Sequence, residues 1–169
     1  MKFIGALLLL SVFSAQAQEF PKDFTGHWKG ELAWYQMGKK DPQKVAMQLQ
    51  IQATDTANQY TWQIVYGKPG QDVRPYILKP VDTAKGHWVV DERNGIVLDV
   101  YWIGGKLCSS FTVQNSTITN CYWREGARMM VEFIGTSAKP VHTTGGKGKD
   151  IPPVDSYTVK SYQKAVLTR

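Results

Sequence analysis

A strict alternation of apolar and polar residues is the feature that most constrains the fold of this chain. Between residues 45 and 52, Val, Met, Leu and Ile occupy every second position, while three glutamines and an alanine fill the others. A β-strand with one buried face produces this period of two. No stretch of about twelve residues after residue 17 shows a clean helical period. Turn signals such as Asn94-Gly95 separate the alternating segments.

The number and spacing of these segments predict an all-β protein. We count about ten strands between turn signals, and nearly every connection is short. Short connections favour an antiparallel up-and-down meander β-barrel, with a sandwich as the alternative. Two prolines in Val73–Val81 predict a broken or edge-like strand, and Val154–Leu167 reads as one long final strand.

The first seventeen residues have the pattern of an export signal. Met1-Lys2 is a short positive start, residues 3–13 are apolar, and Ala15-Gln16-Ala17 is a small-x-small cleavage site. The apolar run is too short for a membrane anchor. We therefore expect residues 1–17 to be a cleaved signal peptide and residues 18–169 to form a single barrel domain without an integral membrane segment. The mature protein would be periplasmic or secreted.

The charge of the mature chain argues against a nucleic-acid partner. Removing residues 1–17 removes Lys2 and no acidic residue, so the formal charge falls from +6 to +5. The lysines are scattered apart from Lys39-Lys40 and Lys147-Gly148-Lys149, and both clusters lie in loop-like sequence. A nucleic-acid face needs basic residues clustered on folded elements among aromatic rings.

The two cysteines, Cys108 and Cys121, predict a disulfide, because an exported chain meets an oxidising environment. If Gln114-Asn115 is a two-residue turn, the two cysteines lie directly opposite each other in a hairpin. Opposed Cβ atoms are about 4.5–5.5 Å apart, which is close to disulfide reach. If the turn is one residue later, the cysteines are diagonal instead.

The first strand carries a family resemblance. It contains Gly26-His27-Trp28 directly after the leader, and the chain then continues as strand after strand. An exported chain with Gly-x-Trp on its first strand and about ten meander strands resembles the calycin superfamily, which comprises lipocalins and fatty-acid-binding-protein-like barrels. The resemblance implies that Trp28 plugs one end of the barrel and that Gly26 leaves room for close approach. In lipocalins a late arginine packs across this tryptophan, and Arg124 and Arg169 are the candidates.

The resemblance also implies a function, namely binding of a small apolar or aromatic molecule. The last strand lacks the Arg-x-Tyr pair that binds a carboxylate in the fatty-acid-binding branch, so a fatty acid is not implied. The inward positions are rich in aromatic rings, which either fill the core or line a cavity. Ser109, Asn120 and Arg124 share a predicted face with Phe111, as polar groups in a ligand pocket do.

Arg74 and Tyr76 share one face of the proline-containing strand. Arg74 either reaches the mouth of the barrel and binds an anionic ligand or forms an ordinary salt bridge with Asp72, Asp91 or Asp99. The candidate ligand-binding residues are Trp62, Tyr66, Arg74, Tyr76, Tyr101, Phe111, Asn120, Tyr122 and Arg124.

Catalytic and metal-binding signals are weak in this sequence. His27, His87 and His142 have no partner at metal-ligand spacing, and no Gly-x-Ser-x-Gly elbow occurs. We therefore expect no catalytic residue, metal or cofactor. Two alternatives to a binding protein remain. One is a barrel enzyme, an isomerase or hydrolase, that uses Arg74, Tyr76 and an interior acid. The other is an envelope interaction protein with a filled core.

The segment Thr136–Pro153 is long and rich in Gly, Lys, Pro and Thr. Loops of this length are usually functional or disordered. We predict that it is mobile and lies near one end of the barrel.

Overall fold

The computed structural model describes residues 19–169, and this part of the chain is nearly all β. The predicted signal peptide lies outside the described residues. Two 3₁₀ turns occur at Lys22–Phe24 and Thr83–Lys85. The strands are β1 Gly26–Gln36, β2 Gln43–Ile51, β3 Tyr60–Tyr66, β4 Asp72–Asp82, β5 His87–Asp91, β6 Val97–Ile103, β7 Lys106–Val113, β8 Ser116–Glu125, β9 Arg128–Ser137, β10 His142–Thr144, β11 Val154–Ser156 and β12 Val159–Thr168.

Ten of these strands form a closed antiparallel barrel. Strands β1 to β9 follow one another around the wall, and β12 closes the barrel by pairing with both β9 and β1. The predicted meander barrel of about ten strands is thus confirmed. Strands β10 and β11 form a separate two-stranded sheet. Among residues 19–169, no helix has the length and apolar character needed to cross a bilayer.

The alternation in β2 shows how the sequence builds the wall. Met47, Leu49 and Ile51 are fully buried, whereas Gln48 and Gln50 face outward and are partly exposed. The other barrel strands place alternate residues inside in the same way. The core is therefore a filled layer of side chains from facing strands, and this layer lies at the end of the barrel where β1 begins.

The proline-containing strand differs from the prediction of a broken strand. β4 is continuous from Asp72 to Asp82 and lies within the closed barrel. Pro75 is tolerated because it lies where β4 pairs with β3 but not yet with β5, whose pairing begins at Ile77. Pro80 precedes a register shift in the β4–β5 ladder. Both prolines therefore occupy positions where a missing N–H costs little.

The predicted long final strand is wrong in its first part. Val154–Ser156 belongs to β11 and pairs with β10, and the barrel strand β12 starts only at Val159. The segment predicted as an unstructured loop thus contains one strand of a hairpin, β10–β11, that projects between β9 and β12. Its position at one barrel end is as predicted.

The cysteines lie on adjacent strands of the β7–β8 hairpin. Val113 is opposite Ser116, so Gln114-Asn115 is the turn and Cys108 pairs directly with Cys121. Their sulfur atoms are 2.07 Å apart. Because Leu107 and Ser109 face inward, the disulfide lies on the outer face of the barrel. The predicted cross-strand bridge is confirmed.

The barrel opens at the end opposite its filled layer. In the described chain, β6 and β7 are joined through three residue pairs, from Tyr101↔Cys108 to Ile103↔Lys106. The remaining halves of both strands separate, as do the first residues of β4 from β5. We call this end of the barrel the open end.

Candidate functional site

The closed end is built around Trp28, which is fully buried. Its indole N–H donates to the carbonyl of Phe24 at 2.8 Å, and Phe24 is fully buried in the 3₁₀ turn rather than in β1. The Arg169 guanidinium lies 4.4 Å from the centre of the Trp28 ring and donates to the carbonyls of Asp23 and Thr25. Arg169, the last residue of the sequence, therefore covers the plug.

Gly26 allows this covering contact. Its φ is +144°, and a Cβ at this position would lie 2.8 Å from Nε of Arg169. A side chain here would displace the arginine and strain the backbone. The close approach inferred for Gly26 is therefore to the Arg169 side chain.

The open half of the barrel contains an interior pocket with two adjacent parts that share part of their lining. The inner part has a volume of about 90 Å³ and is lined by apolar and aromatic residues such as Trp62, Val100 and Leu107. The outer part, which we call the vestibule, has a volume of about 530 Å³ and opens to solvent. Four residues line both parts, namely Tyr66, Arg74, Phe111 and Phe133.

Seven of the nine predicted ligand-binding residues line the inner part of the pocket. They are Trp62, Tyr66, Arg74, Tyr76, Phe111, Asn120 and Tyr122. Tyr101 and Arg124 lie elsewhere. Arg124 is at the closed end, where it donates to the carbonyls of Asp23 and Gly126 and lies 5.7 Å from the Trp28 ring centre.

Tyr101 lies outside the pocket because it occupies an outward-facing position of β6. Val100 is buried and Trp102 packs against the core, so Tyr101 points outward. There it is 45% exposed and stacks on His87 with ring centres 4.8 Å apart. A shift of one residue along a strand moves every side chain to the opposite face of the sheet. The inward position of β6 therefore belongs to Trp102 and not to Tyr101.

Several residues that line the pocket are not among the predicted ligand-binding residues. Glu92 lines the inner part, and Trp34, Lys160 and Gln163 line the vestibule. The inward parity of Trp34 was readable in β1, but the neighbours that it meets were not. Lys160 and Gln163 reach the vestibule because β12 closes against β1, and no local pattern indicates that closure.

Two polar pairs are built into the pocket wall. Ser109 and Asn120 are both buried, and the Ser109 hydroxyl donates to Oδ1 of Asn120 at 3.1 Å. Arg74 binds Asp72 through two hydrogen bonds, Nε to Oδ1 at 3.2 Å and Nη2 to Oδ2 at 3.0 Å. This is the ordinary salt bridge that the sequence left open for Arg74.

The salt bridge reduces the charge that the pocket mouth offers to a ligand. The hydrogen bond from Arg74 lowers the pKa of the Asp72 carboxyl, so the pair stays ionised and mutually neutralised at neutral pH. Arg74 also lies 4.9 Å from the ring centre of Tyr66. The guanidinium is thus held in place between an aromatic face and a carboxylate.

The tyrosines of the pocket remain protonated far above neutral pH. Burial raises the pKa of Tyr66 to about 12 and raises the pKa of Tyr122 well above its ordinary value. Burial, followed by the negative charge of Glu92, raises the pKa of Tyr76. These hydroxyl groups therefore act as hydrogen-bond donors or acceptors and not as bases.

An alkaline titration tests these environments. A raised tyrosine pKa means that the folded state holds the proton more tightly, so the stability contribution is complete below pH 10.0 and is lost as pH rises through about 12. We expect tyrosinate absorbance of the folded protein to lag behind that of the unfolded chain over this range. Outside the pocket, the Glu132 carboxylate accepts a hydrogen bond from Tyr162 and raises its pKa to about 12.

The control is Glu132→Gln, which removes the charge beside Tyr162. This variant should release one tyrosine toward the ordinary pKa and leave the Tyr66 titration unchanged. Equal titration of all eight tyrosines near pH 10.0 in the folded protein would contradict the buried assignments.

Three carboxylates of the barrel wall each bind a different partner. Asp91 binds Lys79, Asp99 binds His87, and Glu132 binds Tyr162. Among residues 19–169, no cluster of three or more His, Cys, Asp or Glu side chains could hold a metal ion. Glu92 is the acid that lines the inner part of the pocket.

Comparisons with known proteins give a fold without a function. No protein-family model matches the chain, and no curated protein matches it. A crystal structure of a protein of unknown function from the DUF3598 family of Nostoc punctiforme PCC 73102 is similar, with a TM-score of 0.62 and 14% sequence identity. The match covers 88% of this chain and 48% of that chain, so this chain spans about half the length of that protein. At this identity the likeness shows the barrel fold alone.

Proposed function

We propose that this protein is an exported β-barrel that binds a small apolar or aromatic molecule in the pocket of its open half. The observation that carries the proposal is the division of the interior. The closed half is filled by side chains such as Trp28 and Leu49, whereas the open half retains a pocket with largely apolar walls. A barrel with a wholly filled core would not retain this space.

The shape of the pocket favours a tapered ligand. The inner part of about 90 Å³ is narrow and ends on Trp62, Leu107 and Tyr122, and the vestibule of about 530 Å³ is wider. Ligand sites are commonly about 300–1,000 Å³ and combine apolar walls with few oriented polar groups. A ring or short apolar chain would enter the inner part, and a bulkier, more polar portion would remain in the vestibule.

The vestibule offers the ligand a hydrogen-bond donor. The indole N–H of Trp34 is buried beside the vestibule and has no hydrogen-bond partner within the described chain. Such a donor costs stability unless a ligand or water satisfies it. Because Asp72 neutralises Arg74, we infer a neutral ligand with a hydrogen-bond acceptor at the level of Trp34.

Kinship with the calycin superfamily and export to the periplasm or beyond are parts of the same proposal. The covered tryptophan plug, with Arg169 packed on Trp28 at 4.4 Å, supports the kinship. The disulfide distance between Cys108 and Cys121 supports an oxidising compartment.

A pocket-filling substitution tests the binding proposal. Val100→Phe adds a ring to the inner part of the pocket, and Val97→Phe places the same ring on the outer face of the same strand, where Val97 is 56% exposed. The probe is N-phenyl-1-naphthylamine, a neutral aromatic amine whose fluorescence rises in apolar sites. We expect Val100→Phe to weaken probe binding by at least about tenfold and Val97→Phe to leave it unchanged.

Thermal unfolding separates blocked binding from misfolding, because overpacking costs about 1–3 kcal/mol. Mass spectrometry of small molecules that copurify with the wild-type protein, and not with Val100→Phe, would identify the ligand class. Equal probe binding by all three proteins, or no binding to the wild type, would overturn the proposal.

A second candidate function, a barrel hydrolase or isomerase, is favoured by one observation. Glu92 lines the inner part of the pocket together with Arg74 and Tyr76, which is the combination that the enzyme alternative requires. Because Tyr76 stays protonated, Glu92 would be the base. Glu92→Gln should then abolish turnover of a bound ester or isomerisable substrate without loss of binding. If turnover is retained, Glu92 has no catalytic role.

A further inference from the structure

The net charge of the protein is concentrated at the open end of the barrel. The segments that link strands at this end are 37–42, 67–71, 92–96, 114–115 and 138–158. They carry seven Lys or Arg and four Asp or Glu, a net charge of +3. The segments at the closed end carry three Lys or Arg and three Asp or Glu, so they are neutral as a group. These segments are 19–25, 52–59, 83–86, 104–105, 126–127 and 169. The pocket therefore opens through a positively charged rim.

Exposed apolar side chains are more numerous at the open end. Six large apolar residues of the open-end segments are exposed, namely Met37, Ile96, Val141, Ile151, Val154 and Tyr157. In the closed-end segments of the described chain, no large apolar residue is exposed to this degree, and Val81 and Ile103 are exposed in the strand ends beside them. Met37 is 67% exposed and lies two positions before Lys39, and Ile151 is 58% exposed and lies two positions after Lys149. These two apolar side chains thus lie close in sequence to lysines of the rim.

The hairpin β10–β11 extends this rim outward. Every residue of both strands is exposed, and its turn contains Lys147, Lys149 and Ile151. The turn also contains Asp150, which lowers its positive charge. Asp155, the other acid of the hairpin, accepts a hydrogen bond from Thr143 across the two strands at 2.6 Å. The tip therefore presents two lysines and an isoleucine to a partner.

We propose that the open-end rim docks on an anionic lipid bilayer, with the mouth of the pocket facing the membrane. Each lysine near an anionic bilayer strengthens binding by roughly fivefold, and apolar side chains beside the lysines gain by entering the headgroup region. A nucleic acid would be read by stacking on aromatic rings within a basic groove, whereas this rim combines lysines with aliphatic residues. An apolar ligand would pass between pocket and bilayer with little exposure to water.

Vesicle sedimentation tests the docking surface. Purified protein is mixed with vesicles of phosphatidylcholine alone or phosphatidylcholine with phosphatidylglycerol. We expect binding to the phosphatidylglycerol vesicles that weakens as salt is raised, because salt screens exposed charges. The double variant Lys147→Glu/Lys149→Glu should bind about tenfold more weakly or worse. Ile151→Ser should also weaken binding, and its effect should persist at high salt.

The matched control is Lys22→Glu/Lys29→Glu, which changes the net charge equally at exposed positions near the closed end. It should retain vesicle binding, as should the blocked-pocket variant Val100→Phe, so this proposal and ligand binding are tested separately. The docking proposal is overturned if the wild-type protein does not bind the anionic vesicles. It is overturned as well if Lys22→Glu/Lys29→Glu loses as much binding as Lys147→Glu/Lys149→Glu. It is also overturned if the protein binds soluble heparin but no vesicles.

Discussion

Replacing Trp28 by alanine should lower the free energy of unfolding by about 3–5 kcal/mol, the usual cost of truncating a large buried ring. Trp28 is fully buried, donates its indole N–H to Phe24 and lies under the Arg169 guanidinium. Truncation would therefore leave a cavity, an unsatisfied carbonyl and an arginine without its aromatic surface. Urea unfolding monitored by circular dichroism measures the change.

Trp34→Ala is the matched control, because it removes the same side chain from the same inward face of β1 at the open end. Trp34 borders the vestibule, and its indole N–H has no partner in the described chain. Its removal should cost less than half as much as Trp28→Ala. Equal costs would show that the barrel is not divided into a filled half and an open half. Trp28→Ala should leave vesicle docking intact in the fraction that remains folded.

Removing the disulfide should produce the second large effect. The Cys108–Cys121 bridge closes a loop with a sequence separation of 13, and constraining a loop of this size stabilises a protein by about 2–3 kcal/mol. We expect Cys108→Ser/Cys121→Ser to lose this amount in urea unfolding. Titration of the wild-type protein purified without reductant should find no reactive thiol, and two reactive thiols would disprove the bridge.

The neighbouring cross-strand pair supplies the control for the disulfide. The hydroxyl groups of Ser110 and Thr119 lie 3.0 Å apart on the same outer face of the β7–β8 hairpin. A non-covalent cross-strand pair contributes about 0.2–1 kcal/mol, so Ser110→Ala/Thr119→Ala should cost clearly less than loss of the bridge. If both double variants cost the same, the covalent link adds nothing to stability.

Much of the fold was predictable because it depends on neighbours in sequence. The inward positions of β2 follow from strict alternation, and the pairing of Cys108 with Cys121 follows from a two-residue turn at Gln114-Asn115. Five pocket residues follow in the same way from the parity of their strands, namely Trp62, Tyr66, Phe111, Asn120 and Tyr122. Arg74 and Tyr76 do not, because Val73, Ile77 and Val81 form the more apolar parity of their strand. The failures also arose from local ambiguity. Tyr101 and Trp102 are adjacent aromatic residues, and local sequence does not show which of them points inward. The alternation also gives no sign of the break at Tyr157-Thr158 before β12.

The tertiary structure alone decided how the closed end is covered and where the pocket ends. Arg169 reaches Trp28 because β12 pairs with β1 and brings the two ends of the barrel wall together. The vestibule is lined by residues of eight strands, β1 to β4, β7 to β9 and β12, so its walls come together only when the ring closes. Neither fact has a signal in a local pattern, since the residues that meet across the ring depend on its register as a whole.

The sequence by itself therefore determined the strand order, the buried face of most strands and the hairpin disulfide, because parity and turn length are properties of consecutive residues. The tertiary structure decided that Arg124 supports the closed end rather than the pocket and that Asp72 neutralises Arg74. It also gathered lysines from distant loops into one rim around the pocket mouth. These outcomes depend on which residues meet across a closed ring of ten strands, and alternation within one strand carries no information about them.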